Sequence, residues 1–271
     1  MSDIFAGQGS DPARLAELYD LEHDDLVDDL PFWRELAARH AGQVLDVGCG
    51  SGRLLRPLLD GGATHVTAVD GSSELLGRAR NRVGADERLA AAAAEGRIKL
   101  IHGDIRALRS SVRRPSDGFS LIVCAGVLPH LAGPEEAIRT LEDAAALLAK
   151  GGWVVIDSLG PAQTPDRDLA LSVDWERATP AGRVVRRSEI VRRDLPDGLH
   201  VVYSTITDTV GPDGTIARLP ATFRLWYPSY ESVDAMLEAA GLTPELRWGS
   251  YDLEPFDAVD SERWIVVAKR R

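Results

Sequence analysis

From Gln43 onward, short apolar runs alternate with stretches of helical spacing. Val44–Val47, His65–Val69, Ile98–His102, Ser120–Cys124 and Trp153–Asp157 read as strands, each an apolar run of strand length. Between them, Arg53–Asp60, Ser73–Ala94 and Glu135–Lys150 read as helices. The last is well punctuated. Pro134 suits the first helical position, Glu135 and Glu136 suit the positive amino end, and Gly151-Gly152 closes it. Strand and helix in alternation predict an α/β fold, a doubly wound parallel sheet with helices on both faces. Two helices over residues 11–40, separated near Asp20–Asp24, come before it.

After the fifth strand the pattern changes. Arg183–Leu195, Leu199–Val210 and Thr215–Tyr227 are strand-like and separated by Pro196-Asp197-Gly198 and Gly211-Pro212-Asp213-Gly214, which are turn sequences. They predict an inserted antiparallel three-stranded meander. In its third strand Thr222, Arg224 and Trp226 share one face, and Phe223, Leu225 and Tyr227 share the other. A helix over Tyr230–Ala240 follows, stopped by Gly241. Thr243–Ser250 and Arg263–Ala268 then form an antiparallel pair, because the segment joining them is too short for a crossover helix.

Composition narrows the function classes. Net charge is −11, and residues 1–40 hold ten acids against three arginines. An acidic surface of this kind opposes a nucleic-acid backbone, so no nucleic-acid partner is expected. The acids read as a solvated helical face. Arg186, Arg187, Arg192 and Arg193 fall on both faces of their strand and also read as solvated charge. No apolar run approaches the roughly 20 residues of a membrane span, and the start of the chain lacks the look of a signal peptide. Cys49 and Cys124 show neither metal-like spacing nor a disulfide framework. A cytoplasmic protein without metal or membrane partner is the expectation, with a homo-oligomer left open.

The candidate chemistry sits at three strand tips. Val44-Leu45-Asp46-Val47 runs into Gly48-Cys49-Gly50-Ser51-Gly52. A turn without β-carbons lets the backbone approach a cofactor laid across the carboxyl edge of a parallel sheet. The next strand ends at Asp70, placed to accept from two vicinal ribose hydroxyls. The third ends at Gly103-Asp104-Ile105, where a carboxylate can accept from an adenine amine while Ile105 packs on the ring. A nicotinamide dehydrogenase would space its glycines as Gly-x-Gly-x-x-Gly instead.

Across Val44–Arg270 the sequence resembles the class I S-adenosylmethionine-dependent methyltransferases. Asp46-x-Gly48-x-Gly50-x-Gly52 matches their first motif, Asp70 their ribose-binding acid and Asp104 their adenine-contacting acid. Leu121–Cys124 with Ala125 matches the fourth strand, whose end commonly contacts the methionine part of the cofactor. The resemblance implies a Rossmann-like seven-stranded sheet with a reversed C-terminal β-hairpin. It also implies S-adenosyl-L-methionine as cofactor, held by Asp46, Gly48, Cys49, Gly50, Gly52, Asp70, Gly71, Asp104, Ile105 and Ala125. Methyl transfer would go by in-line displacement to a nitrogen or oxygen of a small molecule, nitrogen favoured. Leu18-Tyr19-Asp20 and the meander resemble the glycine/sarcosine and amino-sugar N-methyltransferase branch.

Four segments follow: 1–40 as a helical lid, 41–160 as the cofactor-binding core, 161–228 as a β insert capping the substrate, and 229–271 completing the core. Tyr19 is a candidate to lie over the cofactor, or else a helix-packing aromatic. His130, after the fourth strand, is the candidate general base, the alternative being a structural histidine. Arg224 and Trp226 are candidates to line the acceptor pocket, and His23 looks exposed and has no assigned role. A rival reading is a non-catalytic or non-methylating cofactor-binding protein on the same fold.

Overall fold

The computed structural model describes residues 11–40, 42–180 and 182–271. The first ten residues of the expected lid therefore lie outside the described residues. Strands β1 (Gln43–Val47), β2 (His65–Asp70), β3 (Ile98–His102), β4 (Phe119–Ala125) and β5 (Leu148–Leu159) are parallel. With β10 (Leu242–Trp248) and β11 (Arg263–Arg270) they form one seven-stranded sheet in the order β10-β11-β5-β4-β1-β2-β3. β11 runs antiparallel to both β5 and β10, which is the reversed hairpin expected.

The sheet is buried on both faces, so its strands are apolar throughout rather than alternating. On β1, Leu45 and Val47 face one core layer and Val44 the other. The first layer includes Leu141 and Ala144 of α7 (Pro134–Leu147) and Val233 and Leu237 of α8 (Tyr230–Ala239). The second includes Trp33 and Leu36 of α2 (Leu30–Arg39) with Leu55 and Leu58 of α3 (Leu55–Asp60). Strand order reverses between β1 and β4, and the crevice at such a switch point opens at the carboxyl ends of the strands.

Three local departures have physical causes. Ser73–Ala94 is two helices, α4 (Ser73–Ala85) and α5 (Glu87–Ala94), because the Asp86 carboxylate caps α5 by accepting from the amides of Arg88 and Leu89. The first helix, α1 (Pro12–His23), continues through Asp20, and the break falls at residues 24–29. The insert is a four-stranded sheet, β6-β7-β8-β9, not a three-stranded one. β7 (Gly182–Leu195), β8 (Gly198–Val210) and β9 (Ile216–Tyr227) are the expected meander, and β6 (Leu169–Thr179) is the addition. β6 is an edge strand, largely exposed, with register shifts between Leu169/Ser172 and Val173/Trp175 that break its two-residue period. Among the described residues no helix is long and apolar enough to cross a membrane.

Candidate functional site

A cavity of about 1050 Å³ opens above the carboxyl ends of β1, β2, β4 and β5. Its floor is the turn after β1, and its roof is shared by α1, the 24–29 connector and one face of the insert. Gly48 and Gly50 hold φ of 69° and 55°, the left-handed region where a side chain is strained. A β-carbon at Gly48 would meet Val127 at 2.9 Å, and one at Gly50 would meet the Tyr19 hydroxyl at 2.9 Å. The turn continues to Leu54, so α3 begins at Leu55 and not at Arg53.

Asp70, buried at the tip of β2, accepts the Gly50 amide on Oδ2 and the Ser72 amide on Oδ1, each at 2.8 Å. Asp70 also lines the cavity. Gly48, Gly71, Ile105, Ala125, Tyr19 and His130 line the cavity as well. Gly50, Gly52 and Cys49 form the turn without lining the cavity, and the Cys49 thiol is pushed well above its ordinary pKa by burial and then by Asp46.

Asp46 lies beneath the turn, 2% exposed, with no hydrogen-bond partner for Oδ2. Burial, and then the Asp70 charge, raises its pKa to about 7. Asp104 departs from expectation. It sits at the tip of β3 outside the cavity lining, and its carboxylate is taken by the Arg106 guanidinium at 2.7 and 2.9 Å and by the Arg106 amide at 2.9 Å. Those bonds hold its pKa below the usual carboxylate range.

The acids of α1 and its connector are only in part a solvated face: Glu17 and Asp28 are exposed, but others are held by arginines. Arg78 pairs with Asp20, Arg82 with Asp24 at 2.5 Å, and Arg177 with Asp25 at 2.8 Å. Arg53 clasps buried Asp29 with both terminal nitrogens, at 2.5 and 2.7 Å. Arg186 is also corrected: it is buried at 8% exposure, lines the cavity and pairs with Glu22. Arginines from the core and from the insert therefore hold this segment over the cavity. Burial, and then the Asp70 charge, pushes the Tyr19 phenol up, so its hydroxyl stays protonated above Gly50.

His130 is held neutral, its pKa lowered to about 4 by burial and then by His23. His23, whose sequence context points to an exposed position, lines the cavity. Asp157, at the end of β5 and unmarked by any sequence motif, also lines the cavity and accepts from Tyr251 at 3.0 Å and from Arg263 at 2.7 Å.

Arg224 and Trp226 lie on the wrong face of β9. Arg224 is exposed, and Trp226 is packed in the core, its Nε1 donating to the Asp197 carbonyl at 2.9 Å. The cavity takes Phe223, Leu225 and Tyr227 instead. The alternation itself identified that set, and only the choice of face was open.

The residues fit an adenosine-bearing cofactor. The glycine turn makes a cradle that a β-carbon would fill, an orphaned buried oxygen of Asp46 lies under it, and the Asp70 carboxylate is fixed beside it by the Gly50 amide.

Comparison with known proteins agrees with this geometry. Residues 44–152 match a family described as a methyltransferase domain. A tRNA U34 carboxymethyltransferase of Shewanella woodyi is 35% identical over 116 residues, which are 43% of this chain and 31% of that protein. The chain thus spans about a third of that relative's length. Among solved structures, the CcbJ methyltransferase of Streptomyces caelestis superposes with a TM-score of 0.72 at 24% identity, covering 94% of this chain and 96% of that one. The sugar N-methyltransferase KedS8 of Streptoalloteichus superposes with a TM-score of 0.70 at 20% identity, covering 94% and 92%.

Proposed function

Because residues 44–152 form a methyltransferase domain and the chain has the class I S-adenosylmethionine-dependent methyltransferase fold, we propose that it methylates a nitrogen of a small molecule. The observation that carries this reading is Asp70, fixed by the Gly50 and Ser72 amides beside a glycine cradle. When bound, S-adenosyl-L-methionine supplies a sulfonium that polarises its methyl group. Asp70 would hold the ribose hydroxyls, Ile105 and Gly71 would flank the nucleoside, and Ala125 would lie beside the methionine part. Tyr19, on the lid formed by α1 and its connector, would close over the cradle and exclude water, and the insert would cap the acceptor.

Nitrogen is favoured over oxygen for a physical reason. Attack by a hydroxyl needs a base able to draw off its proton, whereas a neutral amine already offers a lone pair. His130, held at about 4, is a weak base. It suits a neutral hydrogen-bond acceptor in an amine site better than a base for an alcohol. The acidic lid, with Asp25 and Asp28 at the cavity, would draw a cationic amine toward it. The likeness to a sugar N-methyltransferase supports an amino sugar as the acceptor class. Two thiols without disulfides fit a reducing cytoplasm.

The test is calorimetry with S-adenosyl-L-methionine and S-adenosylhomocysteine, followed by product detection over a panel of amino sugars and matched hydroxyl analogues. Micromolar binding, its loss in Asp70→Asn, and methylation of amines alone are expected. Binding with no methylated product across the panel would sink the proposal, as would preference for the hydroxyl analogues.

A further inference from the structure

His23 sits in α1, on the cavity side that the reading above leaves without chemistry. Its ring lies flat on Tyr19, with centroids 3.9 Å apart and planes inclined by 14°. Its Nδ1 stands 2.8 Å from the Tyr19 carbonyl oxygen, one turn back along the helix. A carbonyl can only accept, so in the neutral ring Nδ1 carries the hydrogen and Nε2 keeps its lone pair. The tautomer is thus fixed by the backbone. Nε2 lies on the ring edge away from that backbone, and the residue lines the same cavity as His130.

The surroundings keep this ring neutral. Burial lowers its pKa against the opposing effect of the Tyr19 hydrogen bond. Arg53, from the turn after β1, acts with burial, while Asp20 on its own helix and Asp24 just beyond the helix end oppose it. His130, from the loop after β4, is close enough that the His23 charge resists its protonation. Two uncharged imidazoles, one from the lid and one from the core, therefore meet in one cavity.

We propose that His23 recognises the acceptor amine directly: its Nε2 accepts an amine N–H and so turns the nitrogen lone pair toward the methyl group. The inference rests on the methyl-transfer reading. A neutral primary amine has two N–H donors and one lone pair, and holding an N–H on a fixed acceptor restricts where the lone pair can point. The same geometry explains why the residue is carried by the lid. The acceptor site is completed only when α1 is docked, with Tyr19 over Gly50 and His23 stacked behind it.

Sinefungin is the probe, because it places an amine where the cofactor carries its methyl group, while S-adenosylhomocysteine places nothing there. Calorimetry on the full chain compares the two in wild type, His23→Phe and His23→Gln. The phenyl ring keeps the stack on Tyr19 and removes the acceptor, and the glutamine restores one. His23→Phe is expected to lose about tenfold of the preference for sinefungin, with S-adenosylhomocysteine affinity unchanged, and His23→Gln to recover part of it. In wild type labelled with ¹⁵N-histidine, the His23 Nε2 resonance should shift on adding sinefungin but not S-adenosylhomocysteine. An unchanged sinefungin preference in His23→Phe overturns the proposal. So does an unmoved Nε2 resonance, which decides the matter if the variants do not fold. Failure of both compounds to bind wild type would instead remove the methyl-transfer reading itself.

Discussion

The Tyr19 hydroxyl stands over Gly50, so that a single added β-carbon would meet it at 2.9 Å. Two effects therefore act together at Gly50: a φ of 55° and a closed space above it. Gly62 separates them, having a φ of 100° and nothing within 4 Å of its would-be β-carbon. Gly62→Ala should cost only backbone strain, about 1 kcal/mol in urea unfolding, and leave cofactor affinity alone. Gly50→Ala should cost similar strain and weaken S-adenosylhomocysteine binding at least tenfold in calorimetry, because Tyr19 must move. Equal binding by the two variants would show that Tyr19 does not close on the cradle.

Arg53 clasps the connector that follows α1. Its guanidinium spans both oxygens of Asp29 and also reaches the Leu26 carbonyl at 2.8 Å, while Trp33 donates to Asp29 at 3.0 Å. Removing one partner of a buried pair leaves the other charge uncompensated, at a cost of about 3 kcal/mol. Arg53→Ala should therefore speed amide hydrogen exchange across residues 12–29 by about a hundredfold, leaving β1 and β4 protected. Exchange in α1 at the wild-type rate would rule out the clasp.

These two cases show what the sequence could and could not convey. The glycine turn and Asp70 are legible because their chemistry is local: strand, turn and next strand tip follow within a short stretch of chain. The sheet was legible for a related reason, since its parallel strands are buried on both faces and advertise themselves as apolar runs. Asp29 and Arg53 are 24 residues apart and belong to different layers, so nothing in the charge pattern distinguishes a clasp from a solvated face. Asp104 shows the opposite case. Its own neighbour Arg106 captures it, a side-chain geometry that strand position does not reveal. β6 was invisible because an exposed, bulged edge strand carries no regular alternation.

Between pH 4 and 7, two buried groups should tilt stability in opposite senses. His130 titrates at about 4 when folded instead of 6.5, so the unfolded chain binds the extra proton and stability is lost as pH falls from 6.5 toward 4. Asp46 titrates at about 7 instead of 3.8, so the folded chain holds the extra proton and stability is lost as pH rises across that range. Each slope is about 1.4 kcal/mol per pH unit. Relative to wild type, His130→Asn should gain about 3 kcal/mol as pH drops from 6.5 to 4, and Asp46→Asn should gain as pH climbs from 4 to 7. Urea unfolding at a series of pH values reads both. A pH dependence in His130→Asn parallel to wild type would mean that His130 is not held neutral.

The insert offers the sharpest separation of acceptor binding from cofactor binding, because one face lines the cavity and the other does not. On β9, Phe223, Leu225 and Tyr227 face the cavity, and Tyr203, paired across from Phe223 on β8, faces it with them. Phe223→Ala should raise the acceptor KM about tenfold through lost apolar contact, with S-adenosylhomocysteine affinity unaltered. Arg224→Ala, one residue along, should change neither. Trp226→Ala should unfold the insert's attachment to the core, costing about 3–5 kcal/mol, because its ring is 1% exposed and its Nε1 is bonded to Asp197. A rise in KM for Arg224→Ala with none for Phe223→Ala would mean that the acceptor enters against the opposite face of the sheet. The insert would then be a structural brace for the lid, holding it through Arg177 and Arg186, and not a cap over the substrate.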